Sequence, residues 1–346
     1  MQRRTLLEGA LGLTLTQLAQ CKRPGARERA LIRVAKHVAS GVDEVLDRSR
    51  TLERALDVKA GELTGKRLDN ARSAFREAAL SWRRVGTFRD GPFQENNALA
   101  RATRFPARPR VIEAVLAETR PLDATRIAEL GSGEKGLYAI EYLLFHQAAL
   151  SRFTGANGAR VTALCHGLAS ELVGLAEKIK TAVGRRGSHL EDELLANPQS
   201  SLSRLVNTLI EGLELMAEGQ LGLVFRLSEV NRLDPIDVEG YASKLSHRLA
   251  LARFEGAERL YRGEEHDISS LVRNVSPNAD ASVQERFDKA LRAMQSLNAP
   301  LEELAQRERS RLHDAYLKVK SLEAGMKVHL PSALGITITF SSTDAD

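Results

Sequence analysis

Apolar residues recur at three- and four-residue spacing through nearly the whole chain, and that period admits helices and little else. Leu31, Val34, Val38, Val42 and Val45 trace one stripe, and Ala71, Phe75, Ala78, Trp82 and Val85 trace a second that runs out near Gly91-Pro92. The pattern predicts further helices from about Asp123 to Ala149 and from about Ala159 to Val183, the latter ended by Gly184 and Gly187. Four more are expected near 199–230, 237–262, 280–298 and 301–323, the last with heptad-like spacing from Leu301 to Leu322. Pro235, the 263–278 stretch and Pro300 separate them, and Phe105-Pro106-Ala107-Arg108-Pro109 is too dense in breakers for regular structure. Aromatic residues are 5% of the chain against 43% hydrophobic, so the core rests on Leu and Ala, which suit helix packing. Only the tail departs, since Gly335 to Phe340 alternates with period two and should lie extended against the helices.

These observations predict an all-α fold of two packed up-down helical bundles with a short extended C-terminal tail. A chain of 346 residues is long enough for two cores. Ser188 to Pro198 is polar and turn-rich and makes the junction, with a first bundle over 24–187 and a second over 188–346.

The first residues read as an address. Met1-Gln2-Arg3-Arg4 is a basic start, Leu6 to Leu18 is mildly apolar, and Leu18-Ala19-Gln20-Cys21 closes the stretch. Residues 1–21 thus resemble a bacterial export signal ending in a lipobox, with Cys21 as the lipidated first residue of the mature protein. Arg3-Arg4-Thr5-Leu6-Leu7 also resembles a twin-arginine signal, so the route stays open. Gln20, where a small residue is usual, and Glu8 inside the apolar run depart from the pattern. The expected partner is a membrane, through a lipid anchor on Cys21, and the expected location is periplasm-facing, at the outer membrane. With Cys21 assigned to lipid, Cys165 has no disulfide partner, and its spacing with Val161, Leu164 and Leu168 puts it in a helix core. Residues 1–110 carry 23 Lys and Arg against 12 Asp and Glu, but the arginines stand singly on helical pattern without interleaved aromatics. That describes a solvated face, and no nucleic-acid partner is expected.

One carboxylate breaks the apolar rule. Glu141 sits inside Gly136-Leu137-Tyr138-Ala139-Ile140-Glu141-Tyr142-Leu143-Leu144-Phe145, where an unpaired charge would cost several kcal/mol. Tyr138 lies three residues earlier on the same face and could donate its phenolic hydrogen to Glu141. The structural alternative pairs Glu141 with Arg83 or Arg84 from a neighbouring helix.

Other chemistry is sparse. His146 is about 140° around the helix from Glu141 and cannot join it. His166 is a lone helix residue, and His189 opens a helix with Glu191, Asp192 and Glu193 behind the cap Ser188. Glu264-Glu265-His266-Asp267 is the densest cluster and could hold a cation, although it reads first as a solvated loop. There is no His-Glu-x-x-His pair, Gly-x-Ser-x-Gly elbow or phosphate loop, and Gly131-Ser132-Gly133 reads as a helix-entry loop.

The Gly136-x-Tyr138-x-x-Glu141 segment and its apolar run resemble the Gly-x-His-x-x-Glu signature of the imelysin-like family. Trp82-Arg83-Arg84 with Phe88 and Gly91-Pro92, the Pro-Arg loop, and the tail from Leu334-Gly335-Ile336 through Phe340 to Thr343-Asp344-Ala345-Asp346 also resemble stretches of that family. The likeness covers most of the chain. It implies an exported bacterial protein of paired helical bundles, in a family named for a metallopeptidase and tied to iron uptake. In the family, His and Glu on one helix face can reach one cation, whereas this chain has Tyr138 at the histidine position. A neutral phenol is a poor ligand for zinc or ferrous iron. Ferric iron accepts phenolate, but a Tyr-Glu ferric site needs further ligands.

Three functions follow from the resemblance and its departure. The first is a non-catalytic binding component, connected with iron or metal acquisition, with its site at the junction of the bundles. Gly136, Tyr138 and Glu141 would form that site with Trp82, Arg83 and Arg84 from the adjacent helix. Glu141 is the one candidate metal ligand, and iron or zinc the candidate ion. The second is a zinc-dependent peptidase of the imelysin type, and the third a helical scaffold with a degenerate site.

Overall fold

Stripes as long as the first two must be covered on both sides, and the computed structural model shows how. It describes residues 24–89, 91–93, 97–184, 189–263 and 265–338. The helices are α1 (Ala26–Leu56), α2 (Gly65–Val85), α3 (Ala98–Ala102), α4 (Pro109–Ala117), α5 (Ala124–Glu129), α6 (Gly136–Phe145), α7 (Ala149–Thr154) and α8 (Gly158–Val183). Then follow α9 (His189–Ala196), α10 (Pro198–Met216), α11 (Leu223–Glu229), α12 (Ser246–Tyr261), α13 (Ile268–Val275), α14 (Pro277–Ser296), α15 (Leu301–Arg307) and α16 (Arg309–Leu334). No strand occurs among the described residues, and the all-α expectation holds.

α1 is the central element. Its stripe from Leu31 to Leu56 is buried against α2 on one side and α8 on the other. α14 packs along α16 in the same way further down the chain. The halves meet where α2 lies on α12 and α1 on α10, so buried apolar side chains run without a break from one half to the other. No helix among the described residues is long and apolar enough to cross a membrane. Cys165 is fully buried on α8, as its spacing predicts, and burial pushes its thiol pKa up.

Where helical period alone set the boundaries, local chemistry moves them. The helix expected from Asp123 to Ala149 is two, α5 and α6, with α7 beginning at Ala149. Asp123 caps α5 by accepting from the Arg126 amide at 2.8 Å, and the Gly131–Gly133 loop, tied to the Arg108 amide at 2.8 Å, interrupts the run. The helix expected at 237–262 starts only at Ser246, because Asp234 and Pro235 open a short 3-10 turn and Gly240 takes φ +77°. The run at 301–323 breaks at Glu308 and continues as α16 to Leu334. α2 ends at Val85, short of Gly91-Pro92.

The long helix expected over 199–230 is continuous but contains a π-helical turn, Ala217–Gly222. The tail follows its period as far as Ile338. Ile336 is buried and Thr337 exposed, and the Thr337 carbonyl accepts from Asn207 Nδ2 at 2.9 Å and Ser203 Oγ at 3.2 Å on α10. Residues 1–23 with Cys21, Ser188, Glu264 and the acidic end of the tail lie outside the described residues.

Candidate functional site

α6 has two faces with different tasks. Leu137, Ile140 and Leu144 are fully buried, the helix lying against α2 and α8. Its start is fixed by Gly136 at φ +75°, where a Cβ would fall 2.6 Å from the Arg101 carbonyl oxygen and 2.7 Å from that of Ala102. Gly136 therefore serves close backbone approach. Just before it, Lys135 is buried and ties down the helix start, donating to the Ala128 carbonyl at 2.6 Å and reaching Glu171 at 3.3 Å.

The other face carries Tyr138 and Glu141, and a segment of the second half, 238–246, closes over it. The two side chains do not pair with each other. Glu141 is 5% exposed, and its Oε1 accepts from the Ser243 amide at 2.9 Å and from Ser243 Oγ at 2.5 Å. Burial pushes the Glu141 carboxyl above its ordinary value; the Ser243 hydrogen bonds oppose this and the charge of Glu302 adds to it. Glu302 is itself buried, held by Ser246 Oγ at 2.7 Å and Lys244 Nζ at 3.3 Å.

A carboxyl raised in the native state binds a proton that the unfolded chain has released. Its contribution to stability is present at low pH and is lost as pH rises from about 4.3 towards the raised native value. Glu141→Gln removes this titration. Chemical unfolding across that range should show wild type losing stability relative to the variant as pH rises, and parallel curves would contradict the assignment.

Tyr138 belongs to a second, charged cluster. Its hydroxyl accepts from Arg83 Nη2 at 2.7 Å and Nε at 3.1 Å and donates to Glu239, and its ring meets Phe105 edge-on at 5.1 Å. Glu239 is also ion-paired with Arg83, accepts from Gln220 Nε2 at 2.6 Å, and lies 3.6 Å from Arg253. Burial, with Arg83 beside it, brings the Arg253 guanidinium down to about 9, so it stays cationic at neutral pH. Two guanidiniums thus share one carboxylate in a nearly dry site.

The structure gathers only part of the expected set. Arg83 reaches Tyr138 but not Glu141, so the expected Tyr138–Glu141 hydrogen bond and Arg–Glu141 pair are both replaced by contacts to the second half. Trp82 is fully buried on the opposite side of α2, its indole donating to Ser49 Oγ at 3.1 Å. Arg84 points elsewhere and bridges Glu255 at 3.1 Å and Glu44 at 3.2 Å. His146 is exposed at the end of α6, and His166 lies on α8 beside α5. In the acidic loop, Asp267 caps α13 through the Ser270 amide at 2.7 Å, while the Glu265 side chain is 89% exposed.

The residues present do not suit a metal ion. No group of three or more His, Cys, Asp or Glu able to hold one occurs among the described residues. Tyr138 faces a fixed cation, and Glu141 has turned to Ser243. The Arg83 guanidinium lies beside the directly bonded Tyr138 phenol and Glu239 carboxylate and contacts both, as an internal cation.

Sequence reasoning missed Glu239, Ser243, Gln220 and Arg253. The signal for the first two was Asp234-Pro235 followed by Gly240, which marks a turn where helical period alone read a helix.

Comparison with known proteins gives these contacts a family. Among solved structures, an iron-regulated protein A precursor from Parabacteroides distasonis superposes with TM-score 0.75 at 14% identity, covering 91% of this chain and 96% of its own. An imelysin-like protein from Psychrobacter arcticum superposes with TM-score 0.72 at 16% identity, covering 92% and 99%. At such identities the likeness establishes the fold alone. No curated protein matches the chain. The family model described as Imelysin matches residues 38–325, which is most of the sequence, and the chain belongs to the imelysin family.

Proposed function

We propose that this protein is an exported, lipid-anchored and non-catalytic binding component of the imelysin family, acting in iron or metal acquisition. The observation that carries the non-catalytic part is Arg83, whose guanidinium donates to the Tyr138 hydroxyl and ion-pairs with Glu239. A hydrolytic zinc site needs three protein ligands and an open position for water. Here the motif tyrosine is occupied by a cation and the motif glutamate by Ser243. What remains beside the cluster is a cleft suited to binding.

The description of the Parabacteroides protein as iron-regulated supports a connection with iron, and the signal-like residues before Cys21 support export and anchoring. The membrane contact would come through the lipid on Cys21. A peptide-hydrolysis assay with purified protein and added zinc tests the proposal. No turnover above buffer is expected. Zinc-dependent cleavage that disappears in Glu141→Ala would restore the peptidase reading.

A further inference from the structure

Beside the charged cluster lies a cleft of about 460 Å³. That falls within the roughly 300–1,000 Å³ typical of small-molecule sites. Its walls are mostly apolar, from Phe105, Leu223, Val224, Ile236, Val238 and Leu301, and they draw on both halves of the chain. Phe105 is the ring that meets Tyr138, and Glu239 forms part of the same wall, so the cleft adjoins the motif cluster directly.

The charges on the lining have one sign. Asp237 and Glu239 line the cleft, and no Lys or Arg does. The Glu239 carboxylate is already engaged by Tyr138, Arg83, Gln220 and Arg253. Asp237 differs. It accepts from the Asp234 amide at 3.0 Å, is partly exposed, and makes no ion pair among the described residues. Gln220, on the π-helical turn, lines the same cleft, and its Nε2 is committed to Glu239. Apolar walls with one uncompensated carboxylate complement an apolar body with a single ammonium head.

We infer that this cleft binds a small organic cation, a protonated primary amine on an aromatic or alkyl body, with the ammonium at Asp237 and the body between Phe105 and Leu223. The inference rests on the binding reading above and names its ligand class.

Gly219 supplies a clean way to close the cleft. It lines the space, and a Cβ built on it meets nothing within 4 Å, so Gly219→Phe adds bulk there without a backbone clash. The probes are 2-phenylethylamine, its neutral counterpart 2-phenylethanol and its anionic counterpart 3-phenylpropionate, titrated by calorimetry and ligand-observed NMR. The amine should bind at one saturable site, with both counterparts roughly 10-fold weaker or more. Gly219→Phe should abolish binding, and Asp237→Asn should weaken it roughly 10-fold with an unchanged thermal melt. Amine binding that survives Gly219→Phe overturns the inference, because the site is then elsewhere. If the alcohol or the carboxylate binds best and Gly219→Phe blocks it, the ligand class is wrong while the binding reading stands. If none of the three binds, the inference falls, while the binding reading is judged by its own assay above.

Discussion

Glu239→Ala is expected to lower the unfolding free energy by about 3–5 kcal/mol, the range for removing one partner of a buried ion pair. The size follows from what is left behind. Arg83 and Arg253 would both stay in a nearly dry site with no carboxylate, and the Tyr138 hydroxyl and Gln220 Nε2 would lose their acceptor. The pairing need not be a large net gain over an apolar core of the same shape, because desolvating three charges is itself costly. The cost of breaking it is large all the same, since the orphaned cations are only about a tenth exposed. Glu239→Gln keeps the shape and loses the charge, and should fall between wild type and alanine. Urea unfolding reads the difference as a shift in midpoint at unchanged slope. A loss below about 1 kcal/mol would mean that the cluster is hydrated and behaves as a surface pair.

Gly136→Ala should cost about 3 kcal/mol, from two sources that act together. At φ +75° an L-residue is strained by itself. The new methyl would also press on the carbonyl oxygens of Arg101 and Ala102, both backbone atoms that cannot rotate away. Relief requires α6 to move off α3, and with it the register that brings Tyr138 to Arg83 and Glu141 to Ser243. Thermal or chemical unfolding measures the loss. A variant as stable as wild type would show that the glycine position of the motif has no packing role.

The fold was legible because helical period is a local signal repeated many times. The stripes on α1, α2 and α8 could be read directly, and so could the buried Cys165 and the alternation at Ile336. The boundaries were less legible. Asp123, the Gly131–Gly133 loop and Glu308 each override the period through one cap or turn, and such single-residue events are lost in an average over a helix. The site was half legible. Glu141 and Tyr138 announced themselves as polar groups in an apolar run, and Arg83 as a nearby cation. Their partners come from Glu239 and Ser243, about 100 residues away in sequence. Nothing in the spacing of α6 says which loop will close over it. Trp82 and Arg84 entered with Arg83 as one family-like stretch, but neighbours on a helix point in different directions.

Arg83 of the chain itself engages the motif tyrosine and Ser243 holds the motif glutamate, and we propose that this pairing leaves no metal site at the motif. Calorimetric titration of the purified protein with zinc and with ferrous iron, followed by metal analysis after desalting, tests it most directly. Wild type should retain neither metal in stoichiometric amount, and Tyr138→His alone should not change this, because Arg83 remains and Glu141 still faces Ser243. One equivalent of tightly held metal in wild type, lost on Glu141→Ala, would contradict the account.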